Sequence, residues 1–170
     1  MALKGRAAAN LLFAEYLPSM AKGFKARPPE TVRIDVAATC NLRCRHCPTG
    51  IRYGDRSVSR GLMGEDVFDQ IVTQIAKVKS LKGAIFYLSG EPLMHPNLPD
   101  FLTRIKRETW VRNTAFVTNG MLVDGEICRK LSHVDVDRIS ISIDGRSPEE
   151  NDFIRRGSSY EKVREQKEPR

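Results

Sequence analysis

Three cysteines, Cys40, Cys44 and Cys47, stand within eight residues in the pattern C-x3-C-x2-C. Thiolates on so short a loop can converge on a soft metal, whereas neighbours this close cannot easily form a relaxed disulfide pattern. Three ligands rather than four is informative. A structural zinc site is normally closed by four protein ligands, and a site that does chemistry keeps one position open. An iron–sulfur cube held by three cysteines would leave one iron free to take a small molecule. His46, adjacent to Cys47, is the competing fourth ligand for zinc, although two neighbouring residues would strain one tetrahedron. The fourth cysteine, Cys128, lies far along the chain on the apolar side of a helical pattern and reads as core.

The elements that must position these residues follow from periodicity. A strand-like run over 31–38 leads directly into the cysteine loop, and a polar, glycine-containing excursion over 49–60 leaves it, placed to close over the site. Residues 64–79 predict a helix with Val67, Phe68, Ile71, Val72, Ile75 and Val78 on one stripe, acidic at its start and basic at its end. The uniformly apolar run 84–88 fits a buried parallel strand. A helix from Pro99 carries Phe101, Leu102 and Ile105 inward, and 114–117 is a third strand. Asp124 caps a helix with Ile127, Cys128 and Leu131 inward, 138–144 is a fourth strand, and Ser147-Pro148-Glu149-Glu150 is a capping-box sequence. Strands alternating with helices predict an α/β fold: a parallel sheet with helical cover and right-handed crossovers.

In parallel α/β folds, ligands sit at the carboxyl ends of the strands, among the βα loops. All four strands end there in marked residues. The first ends in the cysteines and the second in Ser89-Gly90-Glu91-Pro92-Leu93-Met94-His95-Pro96. The third ends in Thr118-Asn119-Gly120 and the fourth in Ser142-Ile143-Asp144-Gly145. Four strand ends agreeing on one face carry more weight than any one of them. Ordinary turn and capping roles compete for each, and His95, between two prolines, reads as a turn stabiliser rather than a base.

Together these motifs resemble the radical S-adenosylmethionine (radical SAM) superfamily. The resemblance implies that Cys40, Cys44 and Cys47 bind a [4Fe-4S] cluster whose free iron chelates the methionyl amino and carboxylate groups of SAM. It also implies reductive cleavage of SAM to a 5′-deoxyadenosyl radical for hydrogen abstraction. The second strand end is similar to the family's glycine-glycine-glutamate turn, with Ser89 in place of the first glycine. There the backbone around Ser89, Gly90 and Glu91 would meet the methionyl amino group, and Gly90 permits a close approach. Thr118 and Asn119 match positions of polar groups near SAM, and Ser142 and Asp144 match a strand-four serine and aspartate near the ribose. In Asp152-Phe153-Ile154-Arg155, the arginine matches one that pairs with the methionyl carboxylate as a fork-shaped cation. His46 stands where the family favours an aromatic beside the adenine; an imidazole is planar and can serve, but it departs from the pattern. The stretch from Cys47 to Gly50 and the turn from Ser89 look most like the SPASM-type and cofactor-maturation branches, whose substrates are peptides or cofactor precursors. The substrate itself is not legible, and an electron donor such as a flavodoxin or ferredoxin is implied. The competing reading is a non-catalytic zinc or iron–sulfur module.

A 170-residue chain with 41% hydrophobic residues has room for one domain with a sizeable core. Its formal charge of +7 is concentrated early, with five basic residues against Glu15 alone within 1–28. That bias admits a nucleic acid, phosphate or membrane partner, but there is no dense Lys/Arg run or aromatic platform, so a solvated arm is expected. The division is therefore a basic arm over 1–29, with a helix over 5–17, and a core over 30–170. No stretch approaches the roughly 18 apolar residues of a membrane span. Clustered cysteines imply metal in a reducing compartment, with the cytoplasm as default.

The resemblance covers about 30–165 and only the first four βα units of a family core that has about six, so it implies a partial, incomplete TIM-like barrel preceded by an N-terminal helix. The tail over 161–170 is a charged run without a fifth strand. An open parallel sheet ending there leaves an unpaired edge. The expectation is a chain that binds the cluster, and SAM weakly, but cleaves SAM slowly or not at all. Rapid production of 5′-deoxyadenosine by the reduced 170-residue polypeptide, measured by chromatography, would refute it.

Overall fold

The computed structural model describes residues 28–51 and 61–165. The arm helix expected over 5–17 and most of the 49–60 excursion lie outside the described residues. The elements are β1 (Thr31–Ile34), α1 (Pro48–Ile51), α2 (Glu65–Ile75), β2 (Gly83–Phe86), α3 (Leu98–Glu108), β3 (Asn113–Thr118), α4 (Gly125–Ser132), β4 (Arg138–Ile141), α5 (Pro148–Ile154) and α6 (Tyr160–Glu165). A single 3-10 turn, Pro92–Met94, follows β2. The strands form one parallel sheet in the order β1-β2-β3-β4, so each successive βα unit adds one strand to the same edge.

Register explains which face is covered. Ile34 pairs with Phe86, and Phe86 with Phe116, so these side chains share one face. On that face α2 brings Phe68, Val72 and Ile75, and α3 brings Leu98, Phe101, Leu102 and Ile105, into one buried cluster. Phe68 and Phe101 stack between the two helices with ring centroids 3.8 Å apart. The helices begin as the sequence dictates. The Asp124 carboxylate accepts from Ile127 N at 2.8 Å, and Ser147 Oγ accepts from Glu150 N at 3.2 Å. Glu150 returns the bond to the N–H of Arg146 at 2.8 Å.

Three expectations are corrected. The helix predicted over 64–79 stops at Ile75. Val78 N and Leu81 N then bond Ile75 O and Val78 O in tight turns that bury Leu81, and the Trp110 indole donates to Ala76 O at 3.0 Å. The strands expected over 31–38, 84–88 and 138–144 end at Ile34, Phe86 and Ile141, and Tyr87 and Leu88 are exposed beyond the second. Cys128 is exposed rather than core. At about 100° per residue, Ile127 and Leu131 fall on one line, whereas Cys128 lies a full step to its side. No residue of α4 is fully buried, and Ile139 on β4 remains 44% exposed on the face that Phe116 shares.

Phe101 joins α2, α3 and the sheet at zero exposure. Its replacement by alanine is expected to cost about 3–5 kcal/mol of unfolding free energy, read from the midpoint and slope of a denaturant melt.

Candidate cofactor site

The chain leaves β1 through Asp35 and Val36 and reaches Cys40 with a single antiparallel bridge, Ala37 to Leu62; that bridge and packing against the end of β2 position it. Glu91 N donates to Thr39 O at 2.9 Å. A Cβ on Gly90 would lie 1.8 Å from Ala37 O and 2.4 Å from Thr39 O, so only glycine fits. The close approach expected at Gly90 therefore exists, but the group that approaches is the chain's own backbone. A second glycine does the same past the cysteines: a Cβ on Gly50 would sit 2.6 Å from Cys44 O and 2.8 Å from Cys44 N. The sequence reading gave Gly50 no such role, although its place three residues after Cys47 was a usable signal.

Cys44 is buried and Cys40 and Cys47 are half-buried, and none is in a disulfide. Among the described residues, no three Cys, His, Asp or Glu side chains converge as ligands of a single ion would. His46 is exposed, with its Nε2 4.0 Å from Asp144. Three thiols on one loop are a donor set that a cube accepts, each cysteine binding a different iron. Cys40 Sγ accepts from Leu42 N at 3.4 Å and lies 3.8 Å from the Asn119 amide, contacts of the kind that tune such clusters. Burial pushes the Cys40 thiol up. Burial also pushes Cys44 up, against the opposing charge of Arg155. Metal uptake at these two residues therefore displaces protons.

Glu91 is 2% exposed and joins several elements. Its carboxylate accepts from Thr118 Oγ1 at 2.7 Å, Asn119 N at 2.7 Å and Leu93 N at 3.1 Å. Burial pushes this carboxyl up, and these three donors act in the opposite direction. Ser89 Oγ bonds Asp35, and Ser89 O accepts from Thr49 Oγ1 at 2.5 Å, so the β2 turn touches both flanks of the cysteine loop. Thr118 Oγ1 also accepts from Gly120 N at 3.0 Å, which commits the hydroxyl within the protein. Asn119 Nδ2 donates to Asn41 Oδ1 at 2.7 Å and its Oδ1 accepts from Met121 N at 2.9 Å. His95 is buried; Nδ1 accepts from Asn97 N at 3.1 Å, which leaves Nε2 to donate to Met63 O at 2.9 Å. It holds the turn.

At the end of β4, Ser142 is half-buried and its N–H donates to Thr118 O at 2.9 Å. Asp144 and Arg155, each expected to meet a ligand, meet each other at 2.7 Å. Arg155 is 9% exposed, and its Nε is buried without a partner. A guanidinium with one arm committed and another N–H unsatisfied suits an incoming carboxylate. A cavity of 380 Å³ lies at the amino ends of the strands, lined by Thr31, Gly83, Asn113 and Asp137 among others; no candidate residue lines it.

The Radical SAM superfamily model matches residues 34–166, and the chain belongs to this superfamily, whose members use a [4Fe-4S] cluster and SAM. A probable GTP 3',8-cyclase of Methanococcus maripaludis is 29% identical over 138 residues, covering 81% of this chain and 44% of that protein. An AdoMet-dependent heme synthase of Methanosarcina barkeri is 34% identical over 128 residues, covering 75% of this chain and 34% of the relative. The structure of native anSMEcpe with bound AdoMet matches with a TM-score of 0.65 at 22% identity, over 82% of this chain and 40% of that one. BtrN in complex with AdoMet and 2-DOIA matches with a TM-score of 0.56 at 20% identity, over 69% of this chain and 47% of that one. The chain thus spans less than half the length of these relatives. The four-stranded parallel sheet is a partial radical SAM fold, not closed into a barrel.

Gly90→Ala has no relief from the backbone oxygens around it and is expected to leave the chain largely unfolded, seen as lost cooperativity in thermal melts. Glu91→Gln turns an amide N–H₂ toward a buried donor and is expected to cost about 1–3 kcal/mol, with faster hydrogen exchange at Asn119 and Leu93.

Proposed function

We propose that this chain binds a [4Fe-4S] cluster through Cys40, Cys44 and Cys47 and holds SAM against it, as the catalytic part of a radical SAM enzyme. The observation that carries the proposal is the meeting of all four strand ends around one cysteine loop, with a buried, incompletely paired arginine beside it. When bound, the cluster and SAM supply a 5′-deoxyadenosyl radical through one-electron reduction.

This chain's own residues divide the remaining work. Arg155, steadied by Asp144, presents its free N–H to the methionyl carboxylate. The Ser89-Gly90-Glu91 backbone offers polar groups to the methionyl amino group, while the Glu91 carboxylate and Thr118 hold that backbone in place. Asn119 orients Cys40. Ser142 and Asp144 face the ribose, and His46 offers its ring to the adenine. The substrate is a hydrogen donor; peptides and cofactor precursors are the classes the Cys47–Gly50 and Ser89–Pro96 resemblance points to. A small electron donor of the flavodoxin or ferredoxin kind supplies the reducing equivalent. No helix among the described residues is long and apolar enough to cross a membrane, and the proposed localisation is cytoplasmic.

Anaerobic reconstitution with iron and sulfide tests this reading. A brown protein whose cluster spectrum changes on adding SAM is expected, since such a change requires ligation at the open iron. Cys40→Ala, Cys44→Ala and Cys47→Ala are each expected to lose the cluster, and the exposed Cys128→Ala to retain it. A colourless protein carrying zinc overturns the proposal. A normal cluster with no response to SAM leaves only the iron–sulfur module.

A further inference from the structure

Arg155 ends α5 with a buried Nε that has no partner, although a second carboxylate stands three residues before it. Side chains at that spacing on a helix are neighbours, and an aspartate and an arginine there ordinarily pair. Asp152 does not take that place. Its Oδ1 accepts from Asn151 Nδ2 at 2.9 Å and from Tyr160 N, at the start of α6, at 2.8 Å. Asn151 is 2% exposed and its amide is fully engaged. The Oδ1 accepts from Asp144 N at 3.1 Å, and Nδ2 also lies 3.5 Å from Ser158 Oγ. Its main-chain O accepts from Arg155 N at 2.7 Å. One buried residue therefore touches Asp144, Asp152 and Arg155. With donors and acceptors met on both sides, its amide has a single orientation.

We propose that Asn151 is a positioning residue that keeps Arg155 open to a ligand carboxylate by holding the Asp152 carboxylate away from it. The inference rests on the function proposed above, in which that ligand is SAM. Two N–H donors on one oxygen satisfy Asp152 where it stands and fix its rotamer. Without the Asn151 amide, the strongest donor within its reach is the unpaired Nε of Arg155, because a bond between two charged groups is shorter and stronger than one to a neutral N–H. The charge balance then changes. Asp144 alone neutralises the guanidinium and leaves an N–H to attract an anion, whereas Asp144 and Asp152 together would surround it with excess negative charge and repel one. The same amide, through Asp144 N, also sets the end of β4 against α5. A residue that only filled space here would be indifferent to the charge on Asp152.

The test is a SAM titration of the reconstituted protein, read from the cluster spectrum, with iron content as the control. Asn151→Ala is expected to weaken SAM binding by roughly tenfold at unchanged iron content, the loss of one charge-assisted bond. Asp152→Asn in that background removes the competing charge but keeps an acceptor for Tyr160 N, and it is expected to restore most of the affinity. In the cluster-free protein, the NMR signal of the Arg155 Nε–H is expected to shift in Asn151→Ala and to return in the double variant. That readout needs neither cluster nor SAM. Tyr160→Pro deletes the other donor to Asp152 at a first helical position that accepts proline, and it carries the test should Asn151→Ala fail to fold. The same loss and the same rescue by Asp152→Asn are expected of it. Unchanged affinity in these variants, or a loss that Asp152→Asn does not relieve, would overturn the proposal. An assembled cluster in the parent that ignores SAM would instead overturn the function on which it rests, a separate and visible outcome.

Discussion

The backbone contact between Gly90 and the Ala37–Thr39 segment is the constraint on which the site depends. Beyond an isolated bridge of Ala37 to Leu62, the chain from β1 to Cys40 has no regular structure, so its position is set by what packs against it. Gly90 comes so near that its Cα hydrogen occupies the space any side chain would need. The next residue, Glu91, continues the linkage in both directions, with its N–H on Thr39 and its carboxylate on Thr118 and Asn119. One dipeptide thereby joins the ends of β1, β2 and β3. A buried carboxylate is costly to desolvate, and three donors offset that cost only while all three elements stay in register.

The sheet supports this arrangement asymmetrically. Its helix-covered face, built around Phe68, Phe86, Phe101 and Phe116, is closely packed and fixes the height of each strand end. On the other face Arg33 lies over Tyr87, with the guanidinium carbon 5.9 Å from the ring centroid, and both residues are exposed. Rigidity on the covered face positions the polar residues at the carboxyl ends. Those residues then need only short connections to meet.

Much of the site was legible because its signals are local. The cysteine spacing, the two caps at Asp124 and Ser147, and the polar turn after each strand are properties of a few consecutive residues. The parallel order followed from alternating periodicities, since a strand, a helix and another strand leave few other arrangements. Partners far apart in sequence were not legible. Asp144 and Arg155 each look like a ligand-binding residue when read alone, and their pairing appears only when α5 folds back. Cys128 was misplaced because a helical stripe admits a neighbour one step off its axis, and only packing shows which side that neighbour takes.

The sequence by itself determined the residue types that can bind metal, their order along the chain and the strand ends that carry them, because spacing and periodicity act over one or two turns. Tertiary structure alone decided that Gly90 accommodates the Ala37–Thr39 backbone, that Glu91 ties three strands together, and that Arg155 retains an unpartnered N–H beside the cysteines. Those outcomes depend on close packing between segments tens of residues apart, which no local pattern encodes.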